Sequence, residues 1–242
     1  MNPRTALAIV TFVDASRPPE VGLRLREAIA SLEKTSYAGP VILVDDGSTS
    51  DEHKAYLCAL ERSGRYRVVR RTVNGGISRA KNTCLRALME TGFDIGFLAE
   101  DDILFREGWD RAYKEAMERS LIKHFSWYCP DPKNCVVACN DALVTITAGM
   151  LGLLLTFTRE VIDVVGGFKV LPHRYGHEHI HWTHRIVRAG LAPFPADIVD
   201  SRHYVRSNKL PPALDEADIR TGCKLNRPSA RKIARIHEPL ME

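Results

Sequence analysis

The order of apolar runs and amphipathic stretches in this chain predicts an α/β fold, a mostly parallel sheet flanked by helices, organised as a single domain with a C-terminal extension. Three observations carry that expectation. Short apolar runs alternate with stretches of helical periodicity through the first half, which is the order of β-α-β units. Three successive runs end in polar clusters, Asp45-Asp46-Gly47-Ser48, Asn74-Gly75-Gly76 and Glu100-Asp101-Asp102. Open α/β sheets bind ligands beyond the carboxyl ends of their strands, where these clusters fall. Finally, 242 residues, 45% of them hydrophobic and 26% charged, suffice for one well-buried core.

The elements follow in order. A first strand spans Ala6 to Phe12. The next stretch is a helix, because Val21, Leu25, Ala28, Ile29 and Leu32 repeat at three and four residues, opposite Arg24, Arg26, Glu27 and Glu33. A second strand, Pro40 to Val44, runs into the Asp45 cluster. Ser50 then caps a helix that carries Asp51 and Glu52 in its first turn and stops near Gly64. A third strand around Arg67 to Val69 leads to the Gly75-Gly76 turn, and Ile77 to Met89 is a helix with Ala80, Cys84, Leu85 and Leu88 inward. The fourth strand, Asp94 to Ala99, ends at the acidic cluster. Helix Trp109 to Ser120, core strand Leu151 to Phe157 and helix Arg159 to Val165 follow, the last closed by Gly166-Gly167. The domain is expected over residues 1–204, with a basic extension over 205–242.

Composition excludes some classes. The formal net charge of +4, from 34 basic and 30 acidic residues, is mild for a nucleic-acid binder and suits a protein that handles phosphates. The start MNPRTALAIV lacks the long apolar core of a secretion signal. The six cysteines are therefore read as reduced and the protein as cytoplasmic. Cys129, Cys135 and Cys139 could join His124 at a zinc ion, although their spacing matches neither a knuckle nor a ribbon. The most apolar stretch, Ala142 to Phe157, falls short of the roughly 20 residues that a membrane span requires, so no span is expected.

The acidic clusters suggest the chemistry. Carboxylates held close together repel and raise one another's pKa, and a bound cation relieves that repulsion. Magnesium and manganese take oxygen ligands, commonly one or two carboxylates completed by substrate phosphates. Glu100-Asp101-Asp102 at a strand end fits Mn2+ or Mg2+ on those terms.

Read together, the motifs resemble those of the glycosyltransferases of the Rossmann-like GT-A fold, especially family 2, from Ala6 to about His203. The strand ending in Thr11-Phe12 occupies the place where that family seats its nucleotide base. Val44-Asp45-Asp46-Gly47-Ser48 is similar to the V-D-D-G-S motif, in which an aspartate contacts the base, usually uracil. Asn74-Gly75-Gly76-Ile77-Ser78-Arg79-Ala80-Lys81-Asn82 resembles N-x-G-x-x-x-A-R-N, with Lys81 for the usual arginine. Lysine lacks arginine's two-pronged phosphate contact. Phe97 to Asp102, followed by Gly108-Trp109, is similar to the D-x-D metal motif in its E-D-D form, which implies Asp102 as the metal ligand. Gly166-Gly167-Phe168 resembles the acceptor-side G-G-F segment.

Tyr175-Gly176-His177-Glu178-His179-Ile180-His181-Trp182 stands where the family has G-x-E-D-x-D. His179 thus replaces the aspartate that is the usual general base, and His181 replaces the second acid. An imidazole can take a proton from a hydroxyl near neutral pH. His179 as base, Glu178 as base and a retaining mechanism with no such base all stay open.

The resemblance implies transfer of a sugar from a nucleotide-diphosphate donor, expected to be a UDP-sugar, to a hydroxyl acceptor. The base would sit near Thr11, Phe12, Asp45 and Asp46. Asn74, Gly76, Arg79 and Lys81 approach the phosphates, Glu100 and Asp101 flank the donor, and Asp102 with His203 holds the metal. Gly167, Phe168 and Trp182 face the acceptor. His177, His181 and His184 could share a helix face and bind a transition metal if that helix starts by Gly176. The acceptor class is unread: saccharide, lipid-linked group, protein or modified DNA. The last draws on the basic tail with Arg220, Lys224, Arg227, Arg231, Lys232 and Arg235. A nucleotidyltransferase and a non-catalytic nucleotide-sugar-binding module are the other classes considered. The absence of glycine from Ala6 to Arg17 argues against the first.

Overall fold

The structure is a computed structural model that describes residues 3–127, 137–140, 144–147, 152–170, 176–199 and 201–208. The first half is built of strands β1 (Thr5–Thr11), β2 (Val41–Asp45), β3 (Tyr66–Arg70) and β4 (Ile95–Glu100). Between them lie helices α1 (Pro19–Leu32), α2 (Asp51–Arg62) and α3 (Ile77–Met89). The four strands are parallel in the order β3-β2-β1-β4. After β4 come β5 (Ile103–Phe105), α4 (Trp109–Ser120), β6 (His124–Ser126), β7 (Val137–Asn140), β8 (Val144–Thr147), β9 (Leu154–Thr158) and α5 (Arg159–Val165). The described chain ends with α6 (Glu178–Arg188), β10 (Ala196–Ile198), α7 (Ser201–Tyr204) and β11 (Val205–Ser207). Antiparallel β9 and β6 complete a six-stranded sheet, giving the mixed, mostly parallel α/β architecture.

Local chemistry explains the helices. The buried face of α1 is Val21, Leu25, Ala28, Ile29 and Leu32, the stripe read from its spacing. Full burial of a leucine or isoleucine is worth about 1.5–3 kcal/mol, so this stripe holds α1 to the sheet. Ser50 caps α2 by accepting from the His53 backbone N–H at 3.3 Å. Trp109 anchors α4, packed against Phe97 at 4.6 Å and Phe105 at 4.7 Å between ring centres.

Two links carry the chain's later part to the strand ends. Strand β11 pairs antiparallel with β5, and Asn208 donates its backbone N–H to the carbonyl of Asp102 at 2.6 Å. The fold therefore continues through Val205–Ser207, beyond Tyr204. At the other end, the Glu100 N–H donates to the Leu153 carbonyl at 2.9 Å, which seats the chain before β9 beside the acidic cluster.

Candidate active site

The carboxyl ends of β1, β2 and β4 bring the motif residues together, and the structure gives each a distinct task. In the Asp45 cluster, Ser48 Oγ donates to Asp45 Oδ1 at 2.5 Å and accepts from the Val13 N–H at 2.8 Å. Gly47 adopts φ 76° and passes so near the Val73-Asn74 backbone that an added Cβ would lie 2.5 Å from the Val73 carbonyl carbon. No side chain fits there, so the Asp45 and Asn74 clusters dock directly.

Asp46 is only 2% exposed. It accepts from the N–H groups of Gly75 at 3.1 Å and Gly76 at 2.9 Å, and pairs with Arg71 Nε at 2.8 Å. Burial pushes its carboxyl above the ordinary aspartate range, against those same contacts. Asn74 Oδ1 also accepts from the Gly76 N–H at 3.0 Å. The anion seated on the Gly75-Gly76 turn is thus the protein's own Asp46. Arg79 bends back to the Gly75 carbonyl at 3.3 Å.

The three acids after β4 divide likewise. Asp101 is buried and accepts from Thr11 Oγ1 at 2.5 Å, and burial raises its carboxyl to about 6 against the Thr11 bond and the charge of Arg24. Thr11 also lies 3.3 Å from His53 Nε2. Phe12, half-buried, follows directly on the β1 end. Glu100 turns the other way, to Lys81. Asp102 is half-buried at the turn into β5.

Lys81 departs most from the sequence expectation. The resemblance sends its cation towards donor phosphates, yet the side chain is 0% exposed. Its ammonium meets Glu100 Oε1 at 2.7 Å, Glu178 Oε1 at 2.7 Å and the Gly152 carbonyl at 3.3 Å. Three N–H donors meet three acceptors. Burial works against the charge, but the two glutamates hold Lys81 above the ordinary lysine range. In turn Lys81 and His179 outweigh burial and keep Glu178 well below the usual carboxylate range. The Phe168 ring closes the box, 5.9 Å from the ammonium.

His179 stands at the rim, its Nδ1 3.3 Å from the same Glu178 oxygen. Helix α6 begins at Glu178, and His177 caps it with φ 66° instead of forming its first turn. His177, His181 and His184 therefore do not form the helical metal face. Among the described residues no group of three or more His, Cys, Asp or Glu is placed to hold a metal. Burial lowers His181 to about 4, helped by Lys169 and Arg185.

The acceptor-side expectations need correction. Trp182 and Phe168 are buried, not presented to a substrate. They stack at 4.6 Å, and Trp182 Nε1 donates to the Gly166 carbonyl at 2.9 Å. Asn82 grips Phe168 twice, donating to its carbonyl at 2.9 Å and accepting from its N–H at 2.7 Å. Arg185 donates to the carbonyls of Val165 and Gly167. The Gly166-Gly167-Phe168 turn is thus clamped from α3 and α6, and the Phe168 ring supplies packing.

His203 is exposed on α7, just before β11. His124 spends both ring nitrogens on structure, Nδ1 on the Thr156 carbonyl at 3.1 Å and Nε2 on Thr183 Oγ1 at 2.8 Å. Neither nitrogen is left for zinc. Cys129 and Cys135 lie outside the described residues, as do the side chain of Cys139 and the basic tail.

Arg71, Asn82, Gly152 and Arg185 are site residues that sequence reasoning missed. Asn82 closed a quoted motif without receiving a role. Arg71 and Gly152 carried no local signal.

Comparison with known proteins places the family and the fold. Residues 20–122 match the glycosyl transferase family 2 profile. An uncharacterised glycosyltransferase of Acanthamoeba polyphaga mimivirus is 33% identical over 221 residues, covering 89% of this chain and 85% of that protein. The mannosyltransferase PcManGT from Pyrobaculum calidifontis, solved in complex with GDP-Man and Mn2+, superposes with a TM-score of 0.56 at 18% identity over 78% of this chain. This chain spans about half of that one, 53%. Among the described residues no helix is long and apolar enough to cross a membrane. The chain belongs to glycosyltransferase family 2, a family of enzymes, and is built on the GT-A fold.

Proposed function

We propose that this protein transfers a sugar from a nucleoside-diphosphate donor to a hydroxyl acceptor, with a divalent metal at Asp102 and His179 as the proton acceptor. One observation carries the reading. The acidic turn after β4 and the Glu178-His179 start of α6 meet on one buried cation, Lys81. Glu100 beside the proposed metal site and Glu178 beside the proposed base are thereby held in a single network at the strand ends.

Within this reading Asp102, half-buried at the turn that follows β4, is the carboxylate for Mn2+ or Mg2+, as the resemblance to the D-x-D motif implies. One carboxylate fits a metal whose coordination is completed by substrate phosphates and water. When bound, the ion supplies Lewis-acid stabilisation of negative charge on the leaving diphosphate. His203 remains the candidate second ligand. Within this reading Arg79, in the first turn of α3, approaches the phosphates.

Of the two candidates, this reading assigns the base to His179. Glu178 is buried against Lys81, and a carboxylate held well below its usual range has little affinity for a proton. In this reading His179 carries its proton on Nδ1, 3.3 Å from Glu178, and Nε2 receives the acceptor's proton. The acceptor O–H breaks as its oxygen bonds the anomeric carbon. The bond to the diphosphate breaks with its electron pair on the phosphate oxygen, giving inversion.

The test is a donor screen that reads released nucleoside diphosphate from UDP-, GDP- and dTDP-sugars with Mn2+. GDP-mannose is included because the mannosyltransferase neighbour binds GDP-Man. Release from one donor, abolished by chelator and by Asp102→Asn, is expected. Release that ignores both would refute the metal site, and failure of every donor to bind would refute the function.

A further inference from the structure

Residues 62–89 hold eight basic residues and no acidic one, although the chain as a whole is nearly balanced at 34 basic against 30 acidic. Lys81 is spent inward on Glu100 and Glu178. The arginines gather at the margin of the fold, because β3 is the outermost strand of its sheet. Thr83 Oγ1 accepts from Arg71 Nη1 at 2.9 Å and from Arg86 Nη2 at 3.3 Å. Asp46 offsets Arg71 from within. Two guanidiniums on one neutral oxygen still repel, and an anion from outside relieves that repulsion. Further along the strand Arg67 pairs with Glu90 at 2.6 Å and Arg70 with Glu61 at 2.8 Å. All four of these side chains are exposed, and such pairs hold too weakly to close the edge to another anion.

The same edge carries an apolar point. Val73, on the turn after β3, is 66% exposed. Its backbone is fixed, since the turn packs on Gly47 and the N–H groups of Gly75 and Gly76 donate to Asp46. Val73 therefore stands out from a rigid turn, two residues after Arg71. Tyr66, the only ring in residues 62–89, is buried, so nothing in this segment stacks on a nucleic-acid base. Guanidiniums around an exposed aliphatic side chain match a surface whose anionic head groups lie over hydrocarbon. A phosphodiester backbone would leave Val73 uncovered.

We propose that this edge, with Arg67, Arg70, Arg86 and Val73, docks the protein on an anionic lipid surface. The turn lies at the carboxyl end of β3, so docking sets the strand-end site beside the head groups. The inference stands apart from the assignment of metal and base.

The test is sedimentation of the full chain with sucrose-loaded vesicles of phosphatidylcholine, alone or mixed with phosphatidylglycerol. Binding to the mixed vesicles only is expected, and its loss in about 1 M salt, where the screening length is about 3 Å. Arg67→Gln with Arg70→Gln should weaken it about 30-fold, about fivefold for each charge. Arg111→Gln with Arg119→Gln, exposed on α4, should leave it within about twofold. Equal binding to neutral vesicles, no binding to either kind, an unmoved Arg67/Arg70 variant or an equal loss in the α4 variant overturns the proposal. Tighter binding to a DNA duplex than to mixed vesicles in the same buffer overturns it too and gives the edge to nucleic acid. Val73→Trp supplies a reading that does not depend on the charge variants folding. The three native tryptophans are buried, so mixed vesicles should shift the added fluorescence to the blue, and an unmoved spectrum overturns the proposal.

Discussion

Asn82→Ala isolates the clamp on the acceptor-side turn. Asn82 is buried, and its carboxamide makes both hydrogen bonds to the Phe168 backbone, at 2.9 and 2.7 Å. Alanine leaves a buried N–H and a buried C=O without those partners. Each orphaned group costs about 1–3 kcal/mol, so the variant should lose about 4 kcal/mol. For a domain of this size each kcal/mol moves Tm by about 2–4 °C, which puts the fall near 12 °C. Urea unfolding followed by far-UV circular dichroism measures the loss, with an unchanged slope showing that the unfolded state is the same. Asn82→Asp should fall at least as far, because it keeps the acceptor for Phe168 N–H but sets a carboxylate against the Phe168 carbonyl. A loss below about 1 kcal/mol in Asn82→Ala would refute the clamp.

Three further outcomes follow from the same contacts. Gly152→Ala places a Cβ against His179 Nδ1 and Lys81 Nζ. On the role proposed for His179, displacing its ring by about 1 Å should cut turnover by about 100-fold with little change in Tm, and wild-type turnover would contradict that role. His124 is held at about 4, below its ordinary 6.5, chiefly by burial. A depressed histidine contributes stability that is present above pH 6.5 and lost as pH falls through 4, here about 3 kcal/mol. Urea midpoints of wild type and His124→Gln at pH 7 and pH 4 should converge at the lower pH. A gap that stays constant would exclude His124 as a source of acid lability. Leu121 ends α4 in the left-handed region, φ 60°, with 73% of its surface exposed. Leu121→Gly should raise stability by about 1 kcal/mol by urea unfolding, and destabilisation would show that Leu121 packs in a way its exposure conceals.

The fold was legible wherever the deciding forces are local. Helices Ile77–Met89, Trp109–Ser120 and Arg159–Val165 coincide with their expected bounds, because apolar period and flanking glycines both lie within the segment. The antiparallel turn of β9 and β6 was not legible, since strand direction depends on the path of the connection and not on composition.

At the site, motif spacing located the residues but not the directions of their side chains. Trp182 illustrates the difference. A tryptophan in an acceptor-side motif invites a surface role, yet Trp182 follows Glu178 by four residues and precedes Arg185 and Ile186 by three and four, all on the buried face of α6. Lys81 sits in the same kind of register on α3, in phase with Ile77, Cys84, Leu85 and Leu88. A charged residue on a helix's apolar stripe must either leave the stripe or find its partners inside. Lys81, Glu178 and Arg185 all take the second course, two by pairing with each other and one by binding carbonyls. What the stripe cannot name is the partner, which comes from an element about 100 residues away and is chosen by the fold. A charge in core phase therefore marks a network to be looked for, and in this chain that network joins Glu100 at the end of β4 to Glu178 at the start of α6.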